Sequence, residues 1–209
     1  MLFGEATSAG PGARLLEIGS HQGRSTVLLG QVALAAGGEV IAIDPFVEGR
    51  LFGGLSTRDK FRANLERAGV STVVREVEEY STRARPRWTE SVDLVYIDGK
   101  HDVWTFSDDL RWRDFLPPGA SILVHDAFSS IGVTLGILLR VLPANDVAYV
   151  RRTGSMALFQ RRRPTAADRL RIVRELPWWL RNVGMKVLLR LRLRPLARLL
   201  GHDSPYDPY

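Results

Sequence analysis

The segment from Leu15 to Thr26 carries residues that could do chemistry. It runs apolar, turns acidic at Glu17, bends through Gly19, Ser20 and Gly23, and opens an amphipathic stretch at Ser25 and Thr26. Glycine lets a backbone bend sharply and lie close to a ligand. Small hydroxyl residues suit a helix start, where backbone amides lack partners. A second short apolar run, Val40 to Ile43, ends in Asp44. A carboxylate there can accept hydrogen bonds from both hydroxyls of a ribose. Together the segments predict a nucleoside-bearing cofactor at the carboxyl edge of a parallel sheet, with Glu17, Gly19, Ser20, Gly23, Ser25 and Asp44 around it. The plainer reading makes Glu17 a surface acid, Gly19 a turn and Asp44 a helix cap.

Two further acids, Asp98 and Asp126, follow the apolar runs 92–97 and 121–124. Strand ends that lie side by side put both carboxylates over one sheet edge, where ligands gather in open α/β folds. Adjacent carboxylates repel unless a proton or cation lies between them. A hard divalent ion such as Mg²⁺ would resolve the conflict, with Asp98, Asp126 and His125 as its donors. Equally, Asp98 could cap the following turn and Asp126 order its own loop. His101 falls three residues after Asp98, and a neutral imidazole can take a proton near pH 7. His101 is therefore the candidate general base, with Asp98 beside it in the catalytic pair; its other reading is to orient the two acids. His21 sits in the glycine loop and more simply shapes it. No Ser-His-Asp or Cys-His arrangement is present to suggest hydrolysis.

Positioning these residues requires strands alternating with helices. The pattern predicts strands at 14–18, 39–43, 72–76, 92–97, 120–125, 146–151 and 155–160, and helices at 24–36, 57–68, 104–115, 130–141 and in parts of 165–200. The central strands are apolar on both faces, as expected of parallel strands covered on each side. Alternation of this kind predicts a doubly wound α/β sandwich. Only Arg152, Thr153 and Gly154 join the last two strands, too short for a parallel crossover, so the sheet should end in an antiparallel hairpin. The glycine-rich stretch 46–56 is expected to be a mobile lid, and 81–90 a surface connection.

The chain has 209 residues, 45% of them apolar and 25% charged, a globular composition. It has no cysteine, which excludes disulfides and thiolate chemistry. No signal peptide or uncharged apolar stretch of membrane-spanning length is visible. The net charge of +6 hides an asymmetry. Residues 161–201 hold twelve Arg or Lys and two acids, whereas residues 1–160 carry a net charge of −2. A basic arm on a near-neutral body is implied. Thr165 should cap a first helix that Pro177 interrupts. Beyond it, Asn182, Lys186, Arg190 and Arg194 would line one helical face, and Leu180, Val183, Val187 and Leu191 another. Trp178 and Trp179 would sit at a membrane boundary, and the arm would bind an anionic membrane surface. Packing on the body and homodimer formation are its alternatives; nucleic acid is disfavoured because the body offers no second basic patch. Residues 202–209 are expected to be disordered.

In order and spacing the chain resembles class I S-adenosylmethionine-dependent methyltransferases. More narrowly, it resembles small bacterial enzymes related to catechol and macrolide sugar O-methyltransferases and to cephalosporin-hydroxylase-like proteins. The carrying segments are Glu17 to Thr26, Ile43-Asp44, Tyr96 to His101, Leu116 to Ala120 and Val124 to Ala127. The resemblance implies a Rossmann-like methyltransferase sandwich, with a mostly parallel seven-stranded sheet ending in an antiparallel hairpin, over residues 1–160. A basic amphipathic helical arm follows at 161–201, then a tail at 202–209. It implies S-adenosyl-L-methionine as cofactor, held in part by Asp98, with Mg²⁺ as a further cofactor at the strand-end acids. The expected reaction is O-methylation of a small molecule or a lipid-linked sugar, in the cytoplasm, with the arm at the inner face of the membrane. A non-catalytic protein recruiting partners to a membrane and an RNA methyltransferase are the rival readings. Such enzymes carry helices before the first strand, whereas here that strand is expected near Arg14, so the cover of the site is another element or lies upstream of Met1.

Overall fold

A computed structural model describes residues 1–47 and 54–204. The centre of the expected lid and the last five residues of the expected tail lie outside the described residues. Seven strands form one sheet: β1 Arg14–Ile18, β2 Glu39–Ile43, β3 Val74–Val77, β4 Leu94–Ile97, β5 Ser121–Val124, β6 Ala148–Thr153 and β7 Met156–Gln160. Their order is β3-β2-β1-β4-β5-β7-β6. The first five are parallel, and β7 runs antiparallel to both β5 and β6. The expected sandwich and terminal hairpin are both present, with the hairpin turn shifted to Gly154 and Ser155.

Alternation along each strand sorts side chains between two helical layers. Leu16 and Ile18, Val95 and Ile97, and Ile122 and Val124 face one cluster with Phe106, Trp112, Phe128 and Ile137. Leu15, Val40, Leu94, Tyr96 and Leu123 face the other, with Leu29, Val32 and Ala33. The second layer is built on α2 (Arg24–Ala36), which Gly37 closes in the left-handed conformation. On the first layer, α5 (Val103–Asp109) and α6 (Ile131–Arg140) pack closely. A Cβ at Gly132 would come within 2.2 Å of the His101 carbonyl oxygen, and one at Gly136 within 2.3 Å of Phe106. These two glycines let the His101 loop and α5 lie flat on α6.

Several expectations shift. A helix precedes the first strand: α1, Leu2–Ser8, buries Leu2 and Ala6 against the α2 layer. Glu5 of α1 accepts hydrogen bonds from Ser121 at 2.7 Å and Arg151 at 3.1 Å. The third helix, α3, spans Gly54–Arg67, and residues 81–90 hold a helical turn, α4 (Ser81–Ala84). The expected helix at 104–115 divides into α5 and a 3-10 segment, Leu110–Phe115.

Pro177 does not interrupt the arm. Helix α7 runs unbroken from Ala166 to Arg190 with Pro177 inside it, and α8 follows at Arg194–Leu199. The lost amide hydrogen bond is offset by the packing of the two residues that follow the proline. Trp178 and Trp179 lie against the main core, and Arg152 stacks on Trp178 at 3.7 Å. The indoles therefore face inward, away from any membrane boundary. The start of α7 matches the expected cap: Thr165 and Asp168 form a reciprocal capping box. The anticipated basic stripe also fails as a single face. Asn182 is buried, Lys186 is half-buried, and the helix ends at Arg190 before Arg194 is reached.

Candidate functional site

The loop after β1 turns through Gly19, at φ +91°, and reaches α2 through Gly23, at φ +82°. Gly23 is the helix N-cap and offers no side chain, so the first-turn amides have no side-chain cap. Such a helix start favours an anionic group. Asp44 stands across the loop at the end of β2. Its carboxylate accepts the His21 amide at 2.8 Å and the Phe46 amide at 2.7 Å. Each oxygen keeps a second lone pair for a ligand. The Asp44 carboxylate thus both shapes the loop and offers the acceptors that a diol needs. The uncapped helix, the glycine turn and the fixed carboxylate fit the carboxylate and ribose ends of an amino-acid-bearing nucleoside.

Gly19 serves a purpose that spacing did not suggest. A Cβ at this position would fall 2.3 Å from the Asp98 carbonyl oxygen. The glycine is required for the ends of β1 and β4 to pass, not only for a ligand to approach. Glu17 is fully enclosed beneath the loop, and Thr26 donates a hydrogen bond to it. Ser20 is buried beside it and Ser25 is half-buried. Glu17 therefore holds the loop and α2 together from below. Burial pushes its carboxyl up to about 7, against the hydroxyls of Ser25, Thr26 and Ser20.

That shift has a measurable sign. The folded Glu17 keeps its proton to about 7, whereas an unfolded carboxyl releases it near 4.5. Between those values the folded state binds more protons, so stability falls as pH rises. In urea unfolding of the cofactor-free protein at pH 5 and pH 8, Glu17→Gln should shrink the stability difference by about 3 kcal/mol. An unchanged difference would show that Glu17 is not held protonated.

Asp98 and Asp126 follow the ends of neighbouring strands β4 and β5 and meet as expected, together with both nearby imidazoles. His101 Nε2 lies 3.6 Å from Asp98 Oδ1, and its Nδ1 lies 3.2 Å from Asp126 Oδ2. His125 Nδ1 lies 3.3 Å from Asp98 Oδ1 and 3.5 Å from Asp126 Oδ1, without an aligned hydrogen bond to either. Contact with Asp98 raises the His101 imidazole above its ordinary range against the effect of burial, and Asp126 adds to the rise. Contact with Asp126 likewise raises His125. Burial works to raise Asp126, but His125 and His101 outweigh it and hold the carboxyl low. Asp126 also adopts φ +52°, a strained backbone often found at functional sites.

The ligand atoms of Asp98, His101 and His125 lie within 4.8 Å of one another, close enough to hold an ion. Asp126 borders both imidazoles. This donor set mixes nitrogen with oxygen. It suits a borderline transition ion better than Mg²⁺, which prefers an oxygen shell. The imidazoles also answer the carboxylate repulsion without an ion.

Three features escaped the sequence reading. Tyr96 donates its hydroxyl to Asp98 Oδ2 at 3.0 Å and fixes the carboxylate from the α2 side. Its two-residue spacing from Asp98 was the available signal. Asp109, buried at the end of α5, accepts a hydrogen bond from Ser81, and burial pushes its carboxyl up to about 7. Its other oxygen has no hydrogen-bond partner among the described residues and backs onto Gly99, where a Cβ would approach to 3.2 Å. Trp104, in the first turn of α5 and three residues from His101, is 76% exposed.

The fold recurs in solved structures. The O-methyltransferase TomG from Streptomyces achromogenes, involved in tomaymycin synthesis and crystallised with S-adenosylmethionine, is 20% identical, with 77% of this chain and 78% of that one covered and a TM-score of 0.56. The cofactor-bound protein Rv0187 from MTB is 22% identical over 78% of this chain and 79% of its own, with a TM-score of 0.59. An rRNA methylase from Streptococcus thermophilus is 11% identical, covering 77% and 94%, with a TM-score of 0.56. A family model described as a methyltransferase domain matches residues 16–127, from the core of β1 through the Asp126 turn. That match spans more than half of the residues and both halves of the rim, and the chain belongs to this methyltransferase-domain family.

Proposed function

We propose that the protein is an S-adenosylmethionine-dependent methyltransferase acting on a hydroxyl of a small molecule or of a lipid-linked sugar. One observation carries the reading: a glycine turn, an uncapped helix and Asp44 lie on the same sheet edge as the Asp98–His101–His125–Asp126 cluster. When bound, the cofactor would supply an electrophilic methyl group, open to in-line attack by an acceptor oxygen with the sulfur leaving as a neutral thioether. The chain's work is to hold the two collinear and to remove the acceptor's proton. Asp44 holds the ribose hydroxyls, and the first turn of α2 faces the cofactor carboxylate. His101 takes the acceptor's proton at Nε2. Asp126, 3.2 Å from Nδ1, fixes the tautomer and steadies the imidazolium that forms. Tyr96 keeps Asp98 turned toward the imidazole. A divalent ion held by Asp98, His101 and His125 is a second way to lower the acceptor's proton affinity, and would engage the same imidazole as a ligand.

Titration calorimetry tests the reading directly. The full chain should bind S-adenosylmethionine, and Asp44→Ala should weaken binding by at least about a hundredfold. The variant loses two hydrogen bonds to a charged group, each worth about 1.5–3 kcal/mol, so about 3 kcal/mol at the low end. No heat at millimolar cofactor would point instead to a non-catalytic use of the fold.

A further inference from the structure

We propose that the far end of the arm, from Leu180 to Leu200, is a docking surface for an anionic lipid bilayer, and that it holds the reactive rim beside that bilayer. Helix α7 has two unlike faces. Ile172, Asn182 and Met185 are buried on the inward one. The outward one shows Leu180 at 61% exposure and Leu191 at 63%, with Val187 between them. The helix therefore exposes a second apolar stripe besides the one that packs inward, which a helix that merely packs on its domain does not need. Helix α8 continues it with Leu196, Leu199 and Leu200, and Leu199 is 82% exposed. Between the helices runs an apolar groove lined by Gly184, Met185, Val187, Leu188 and Leu200, with Arg181 at its side.

Charge selects the occupant. No acid occurs between Glu175 and Asp203. Over the same stretch Arg190, Arg192, Arg194 and Arg198 are exposed and make no ion pair among the described residues. Exposed leucines flanked by unpaired arginines fit an interface whose interior is apolar and whose surface is anionic. No described helix is long and apolar enough to cross a membrane, so the surface lies on the bilayer. Placement relative to the rim follows from one contact chain. Lys186 donates to the Ser129 carbonyl at 2.9 Å, and the Ser129 hydroxyl donates to Asp126 at 3.1 Å. The arm thus leaves the body beside a member of the reactive cluster.

Vesicle flotation of the full chain, without cofactor or acceptor, tests this and stays independent of methyl transfer. The protein should float with vesicles of phosphatidylcholine and phosphatidylglycerol and not with phosphatidylcholine alone. L199E/L200E should abolish flotation. R190Q/R194Q/R198Q should weaken it about a hundredfold, at roughly fivefold per basic residue. Both variants change exposed positions remote from the core and should keep the wild-type circular dichroism. Failure of the unaltered chain to float, or flotation indifferent to both variants, overturns the proposal. So does a concentration-dependent dimer that L199E/L200E dissociates in the absence of flotation, which would give the patch to a second copy. Retention of RNA without flotation overturns it as well. Calorimetry with S-adenosylmethionine on the same samples separates failure of this surface from failure of the cofactor reading.

Discussion

Replacing His101 with alanine should lower turnover about 10²–10⁴-fold while leaving the affinity for S-adenosylmethionine unchanged. The range is that of a positioned general base. His101 is the one side chain in the cluster whose two ring nitrogens each face a different carboxylate, Asp98 and Asp126. Asp44 and the first turn of α2, the proposed cofactor contacts, share no hydrogen bond or ion pair with it among the described residues. Radiolabelled methyl transfer to any acceptor that the unaltered chain methylates, read beside calorimetry, separates the two quantities. A variant that binds cofactor normally and turns over normally would remove His101 from the mechanism. One that loses cofactor binding would make it a scaffold residue. Asp126→Asn is the companion variant, because asparagine tolerates the positive φ that Asp126 adopts. It should reduce turnover less than the loss of His101.

Gly19→Ala should unfold the rim locally and destabilise the whole domain. Two costs add. A non-glycine residue at φ +91° carries about 1–3 kcal/mol of strain. The new methyl group would also meet the backbone of Asp98 at 2.3 Å, where no flexible side chain can give way. Either β1 and β4 separate at their ends or the loop refolds, and Asp98 moves in both cases. A fall in melting temperature of about 10 °C is expected for a chain of this size. Cofactor affinity should fall at least tenfold, since the loop that bears the His21 amide is displaced. An alanine variant with normal melting and normal affinity would show that the turn has more room than its geometry allows.

Much of this was legible in the sequence because the signals were redundant. Runs such as Leu94 to Ile97 and Ser121 to Val124 are too apolar for a one-sided sheet, so their coverage on both faces follows from composition alone. A three-residue link after Arg151 could only be a hairpin. Acids placed just beyond strands β2, β4 and β5 were bound to share an edge once the strands were parallel. What escaped depended on partners far apart in the chain and ordinary in type. Ser81 and Asp109 meet across 28 residues, and neither belongs to a recognisable pattern. Pro177 was misread because propensity counts the missing amide but not the packing of Trp178 and Trp179 around it. Of the arm's two expected stripes the apolar one is present and the basic one is not a single face, and hydropathy does not say which side docks. A buried Asn182 and an exposed Leu191 reverse the usual choice. Gly19 was noticed for its flexibility, while its approach to the Asp98 backbone was not.

The contacts of Glu5 bear on the order in which this domain is made. Ser121 and Arg151, the hydrogen-bond partners of Glu5, lie 116 and 146 residues further along the chain. Contacts of such separation form late, after the intervening chain has closed its loops. Packing of Leu2 and Ala6 on nearby α2 can therefore come early, whereas the hydrogen bonds of Glu5 wait until β5 and β6 have both joined the sheet.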